Sequence, residues 1–302
     1  MNATLLVLFL FLSGLGSRLF SKLCSNLIVG STYASYALFY TLNSLVACGF
    51  FWITSGFNLT LNLPTLLYSL LYALVVFAAL FFSLLSYRLF AVASVSVLSS
   101  ALAPVTTSLV GALLFREHPG ARTLLRIGMM LIAVFLVFAD TARHREKQPG
   151  EAPSKKRWGV LLFVLSGMIL SNCASTIVTK YYALSPRVAE ETSFFFFTNA
   201  ILIVAALSLL LIEALRHPSE LRAAAGLLKP KSLISLVGNA VCSNVGSLVS
   251  IWLLAQMDVS VFTPISSALG ILTGVLVSLL LREKPGIFSY LAAAVACLAV
   301  IF

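Results

Sequence analysis

Charge is what this chain has least of. Only 10% of its 302 residues are Asp, Glu, Lys or Arg, against roughly 25% in a soluble globular chain, so it cannot cover a water-facing surface. Acids are scarcer still, ten against twenty Lys and Arg, for a formal net charge of +10. Asp140, Asp258, Glu117, Glu190, Glu191, Glu213 and Glu283 all fall at the ends of apolar runs or between them. A pump for organic cations wants a carboxylate inside the membrane, to attract the ligand and exchange a proton, and none is there. The three histidines, His118, His144 and His217, lie far apart, and the five cysteines, Cys24, Cys48, Cys173, Cys242 and Cys297, all sit inside apolar runs. Neither set makes a metal site, a disulfide framework or a catalytic constellation, so no enzyme and no cofactor are expected.

What the chain has in abundance is hydrophobicity: 60% of its residues are apolar and its mean hydropathy is +1.03. The apolar residues fall in runs of about twenty, the length an α-helix needs to cross ~30 Å of hydrocarbon. The short polar-apolar alternation of a membrane barrel is absent. The spacing predicts an all-α integral membrane protein with about ten transmembrane helices, over residues 4–24, 33–53, 65–85, 92–114, 119–139, 159–179, 193–212, 233–255, 259–281 and 286–302. Residues 4–24 lack a basic leader and read as a retained span. The basic residues gather at span ends, where they set topology and do not mark a nucleic-acid surface. The stretch 140–157 holds Arg143, Arg145, Lys147, Lys155, Lys156 and Arg157 and is expected to be a cytoplasmic linker. Alternation outward from it puts fifteen of the twenty Lys and Arg on the cytoplasmic side and both termini on the other, in what is expected to be the plasma (inner) membrane.

The sequence also repeats itself. Arg116-Glu117-His118-Pro119-Gly120 recurs as Arg282-Glu283-Lys284-Pro285-Gly286, a shift of 166 that also pairs Ser94-Val95 with Ser260-Val261, Ser100 with Ser266 and Thr107 with Thr273. The front of each half matches at a shift of 158, which pairs Ser13 with Ser171, Ser17 with Ser175, Ser21 with Thr179 and Lys22 with Lys180. Residues 1–139 and 158–302 thus form two five-helix repeats, and an odd number of spans obliges the second to enter the membrane upside down. Inverted repeats place a shared site near the midplane and reach it by alternating access. The two stretches 92–138 and 258–302, each running from a Ser/Ala-rich span through the charged turn, resemble the drug/metabolite transporter superfamily, in particular its ten-span members with two EamA-type repeats. The resemblance implies a carrier. In the superfamily's small multidrug carriers a first-span glutamate couples transport to protons; span one here has no carboxylate.

Polar stripes mark where a substrate could pass. Gly14, Arg18 and Lys22 share one helical face, flanked by Ser17 and Ser21; the repeat mate presents Asn172, Thr176 and Lys180, flanked by Ser175. Charges inside the membrane cost at least ~2.5–3.5 kcal/mol near its centre and face a cavity or a partner, although Lys22 and Lys180 are near enough to span ends to reach the headgroups. Tyr36, Tyr40, Ser100, Asn239, Asn244 and Ser267 complete the candidate substrate-binding set; for several of them the competing reading is helix-to-helix packing. The cationic bias suits an anionic or zwitterionic metabolite, carried by a secondary transporter. The alternatives are an exporter of amino acids or hydrophobic drugs and, from another class, a lipid flippase or membrane-embedded enzyme. The expected partners are a small-molecule substrate and the lipid bilayer, with a homodimer left open and no nucleic acid.

Overall fold

The computed structural model describes residues 3–27, 33–89, 155–185, 190–219, 224–281 and 287–301, with short stretches between 120 and 136. Among them the secondary structure is entirely helical: α1 (Ala3–Leu27), α2 (Tyr33–Thr54), α3 (Leu63–Leu89), α4 (Lys155–Leu184), α5 (Glu191–Arg216), a 3-10 turn (Ala225–Leu228), α6 (Pro230–Gln256), α7 (Val259–Leu280) and α8 (Ile287–Ile301). Thr4–Leu23 of α1, together with α2, α5 and α6, are long and apolar enough to cross a bilayer. Leu63–Ala79 and Val261–Val277 are shorter apolar helices. Eight of the expected spans thus coincide with described helices; residues 92–114, with Ser100, lie outside the described residues, and 119–139 is described in part.

Helix is the form lipid imposes, because it satisfies every backbone group within its own segment. The hydroxyls obey the same demand. Thr41, Ser208, Thr263 and Thr273 donate to the carbonyls of Ala37, Val204, Val259 and Leu269 at 2.7–2.8 Å, the back-bond of a helical Ser or Thr. Helix ends follow local chemistry. α2 stops where Gly56 and Phe57 take positive φ angles of 62° and 64°, and their amides turn back onto the Ile53 and Trp52 carbonyls, satisfying acceptors that the helix end would leave orphaned. α3 starts at Asn62, whose Oδ1 accepts the Thr65 amide at 2.9 Å, an N-cap, with Pro64 in the first turn where no N–H is needed.

The chain divides into two compact units: Met1–Leu74 with Tyr181–Trp252, and Val75–Lys180 with Leu253–Phe302. Each therefore takes residues from both sides of the 140–157 stretch. In the first unit a buried cluster joins Ala47 and Phe51 of late α2, Tyr182 of late α4, Phe194 and Phe195 of early α5, and Leu248 and Ile251 of late α6. Those helix ends consequently share one end of the unit. At the other, Phe39 of α2 packs with Leu227 of the 3-10 turn and Leu236 of early α6. So α2 and α6 run one way and α5 the other. α1 runs against α6, because a Cβ at Gly246 would meet Ser13 Oγ at 3.1 Å, one at Gly16 would meet Cys242 Sγ at 2.6 Å, and one at Gly238 would meet the Phe20 ring at 2.7 Å.

In the second unit α7 packs along α8. Phe82 of α3 lies across α4, its ring 5.7 Å from that of Phe163 and 2.5 Å from where a Cβ at Gly167 would stand. Only glycine at 167 lets the ring come so close.

Candidate functional site

Helices α1, α2 and α6 of the first unit meet in a polar column. On α1 the contacts with α6 fall on Ser13, Gly16, Ser17, Phe20 and Ser21, while Leu5, Leu8, Phe9 and Leu12 are about half exposed. Turning about 100° per residue, Gly14, Arg18 and Lys22 lie on a third face, roughly 130° from the exposed leucines. Arg18 and Lys22 are half-buried, and each already holds an interaction within the protein. The cationic stripe therefore sits neither on the apolar face nor on the seam with α6.

The seam is hydrogen-bonded. Asn239 of α6, only 7% exposed, accepts Ser17 Oγ at 3.1 Å and Ser21 Oγ at 2.7 Å on its Oδ1, and donates from Nδ2 to Asn43 Oδ1 of α2 at 3.2 Å. One amide thus ties α1, α2 and α6 together. Tyr36 and Tyr40 are half-buried on α2, and the Tyr40 ring meets Phe39 edge-on at 5.3 Å.

One helical turn beyond Phe194 and Leu248 stand two buried side chains with unmet polar groups. Among the described residues Thr198 Oγ1 and Asn244 Nδ2 have no hydrogen-bond partner, though the residues are 1% and 7% exposed; Oγ1 of the half-buried Thr192, at the start of α5, is unmet as well. The threonine has a physical explanation. Its natural back-bond acceptor, the Phe194 carbonyl, is taken by Ser69 Oγ at 3.0 Å, in addition to the helix's own bond. Its neighbour Asn199 does find its i−4 carbonyl, on Phe195 at 2.8 Å. An unmet buried donor costs about 1–3 kcal/mol. Above this level lies an aromatic layer, in which Tyr182 stacks on Phe194 with centroids 4.2 Å apart, Phe51 stacks on Phe195 at 5.2 Å, and Tyr68 and Tyr72 close the sides. The layer is pinned at the unit's end by Tyr182 Oη donating to the Glu190 carbonyl at 3.2 Å and by the Thr60 amide donating to Ser193 Oγ at 3.1 Å.

The second stripe is arranged differently. Ser175 and Thr176 donate to the Asn172 carbonyl, and Thr179 donates to the Ser175 carbonyl, all within α4. Lys180, 6% exposed, places Nζ 2.7 Å from both the Leu254 and the Met257 carbonyls. It caps the C-terminus of α6, where a cation meets the negative end of the helix dipole, and does not reach for headgroups. Ser267 of α7 is 6% exposed. Positions that match in sequence are thus bonded unlike: Ser17 and Ser21 reach across to another helix, while Ser175 and Thr179 turn back on their own.

Sequence reasoning missed Thr198, the aromatic layer and the close seam of Gly238, Cys242 and Gly246. The last two left signals, a run of four phenylalanines at 194–197 and small residues repeating every four positions. Thr198 left none, because its condition depends on Ser69, 129 residues earlier.

No curated protein matches the chain. Among solved proteins, one crystal structure superposes over 99% of this chain and 94% of its own length, with a TM-score of 0.62 at 16% identity, a likeness of fold. Residues 157–302, close to half the chain, match the EamA-like transporter family, and with the helices long and apolar enough to cross a bilayer the match supports an integral membrane protein.

Proposed function

We propose that the chain is a ten-span secondary transporter which moves a small anionic or zwitterionic metabolite by alternating access between two inverted repeats. The EamA-like match carries the transport assignment. Helix directions support the inversion. The repeat mates α2 and α5 run oppositely, as do α3 and α6, since early α3 and late α6 meet in one cluster. Late α2 and late α4 also share an end, which calls for an even number of crossings between α3 and α4, and the apolar runs 92–114 and 119–139 provide two.

The preference for an anion rests on Arg18 and Lys22. A helix gains nothing from cations on a half-buried face unless that face meets water, a partner or a ligand. With no carboxylate inside span one, the driving forces left are facilitation, exchange and coupling through a peripheral acid. The test is uptake into proteoliposomes by the full chain, using a radiolabelled panel of neutral amino acids, dicarboxylates and sugar phosphates. Arg18→Gln and Lys22→Gln are expected to reduce uptake of the carried compound at least tenfold, with thermal stability retained. Wild-type rates in both variants would remove the two cations from the site, and preferential uptake of organic cations would favour the drug-export alternative.

A further inference from the structure

Building on the transporter reading, we infer that Thr198 and Asn244 form a donor pair which binds an oxygen acceptor of the transported molecule, beneath the aromatic layer of Phe51, Tyr182, Phe194 and Phe195. Three observations converge. Both unmet groups, Thr198 Oγ1 and Asn244 Nδ2, are hydrogen-bond donors in side chains more than nine-tenths buried. Each stands one turn from a member of the same cluster, Thr198 after Phe194 on α5 and Asn244 before Leu248 on α6. Because α5 and α6 run in opposite directions, those two steps lead the same way, away from the aromatic end and toward Asn43 and Asn239. The donors therefore occupy the level between an aromatic cover and a polar column.

The neighbouring polar groups make the vacancy informative. Asn239, Asn199, Ser69 and Thr41 all find partners, as buried polar groups in lipid must. Thr192 Oγ1, in a half-buried residue at the aromatic end, is also unmet; the two unmet donors in residues more than nine-tenths buried stand at one level of the unit and are better matched by a ligand that comes and goes. Carboxylate, phosphate and carbonyl oxygens all accept such bonds. The aromatic layer supplies the cover, since ring stacking closes the unit's end.

Stability and accessibility test this in the full chain. Thr198→Val and Asn244→Leu remove an unmet donor while keeping the branching and the number of heavy atoms, so both variants are expected to melt at or above the wild-type temperature, whereas Asn239→Leu, which loses three bonds, melts lower. Melting of both near-isosteric variants several degrees below wild type would mean that fixed structural partners, bound water included, hold these groups, and would overturn the proposal. Separately, Thr198→Cys and Asn244→Cys are made with the five native cysteines replaced by alanine and are exposed in proteoliposomes to sulfonatoethyl methanethiosulfonate, a small anion. Labelling is expected, and is expected to quicken at least tenfold when Phe194→Ala opens the cover; no labelling with either cover overturns the site. Neither readout requires that any panel compound be carried, so the site and the transporter reading fail separately. Wild-type uptake by Thr198→Val and Asn244→Leu would sink the site alone.

Discussion

Replacing Lys180 by methionine is the sharpest available test of how the second unit is held. The side chain is buried, and its ammonium lies 2.7 Å from the carbonyls of Leu254 and Met257. Hydrogen bonds to a charged group contribute about 1.5–3 kcal/mol each, and a cation at a helix C-terminus adds up to ~2 kcal/mol in partly buried settings. These terms overlap, and burying the charge offsets part of them. Met keeps the length of the side chain but leaves two helix-end carbonyls without a donor in an apolar setting. The expected net loss is about 3 kcal/mol, from the mid-range of those terms, which for a chain of this size lowers the melting temperature by roughly 5 °C. Lys180→Arg, which keeps the charge and several donors, is expected to recover more than half of the loss. The assay is thermal unfolding of the purified protein in a neutral detergent. A Lys180→Met protein that melts within about 1 °C of wild type would refute the capping argument. Loss of uptake in such a protein would make Lys180 a ligand-binding cation.

Two further outcomes follow from the same structure and sequence. Gly16→Ala places a methyl group 2.6 Å from Cys242 Sγ, an overpacking expected to cost about 1–3 kcal/mol; Cys242→Ala removes the sulfur and is expected to restore the melting temperature of the double variant, and additive losses would show that the α1–α6 seam is not the cause. Cysteines introduced one at a time at Glu117 and Glu283 in a cysteine-free chain are expected to react with a membrane-impermeant reagent from opposite compartments, and labelling from the same side would end the inverted-repeat proposal.

Much of this protein could be read from residue order. The scarcity of charge and the runs of about twenty apolar residues call for helices in lipid, because no other open structure satisfies its own backbone there, and eight of the ten expected spans coincide with described helices. The stripe at Gly14, Arg18 and Lys22 was legible because a helix turns every 3.6 residues: its place on α1, away from the exposed leucines, follows from spacing alone. Ser17, Ser21 and Asn239 were visible as polar residues in apolar runs, but that they share one amide was not. The order of residues says nothing about which helix faces which.

Local pattern and long-range contact part along that line. Composition, span length and internal repetition are local or statistical properties, and they fixed the membrane setting, the helical class and the family resemblance. The state of each polar group is a property of its neighbours. Lys22 and Lys180 match at a shift of 158, yet only Lys180 caps α6, through carbonyls 74 and 77 residues further on. Thr198 is left unmet because Ser69 takes the carbonyl it would have used. A hydrogen bond is decided within about 3 Å, and residues far apart in the chain come that close only once the helices have packed.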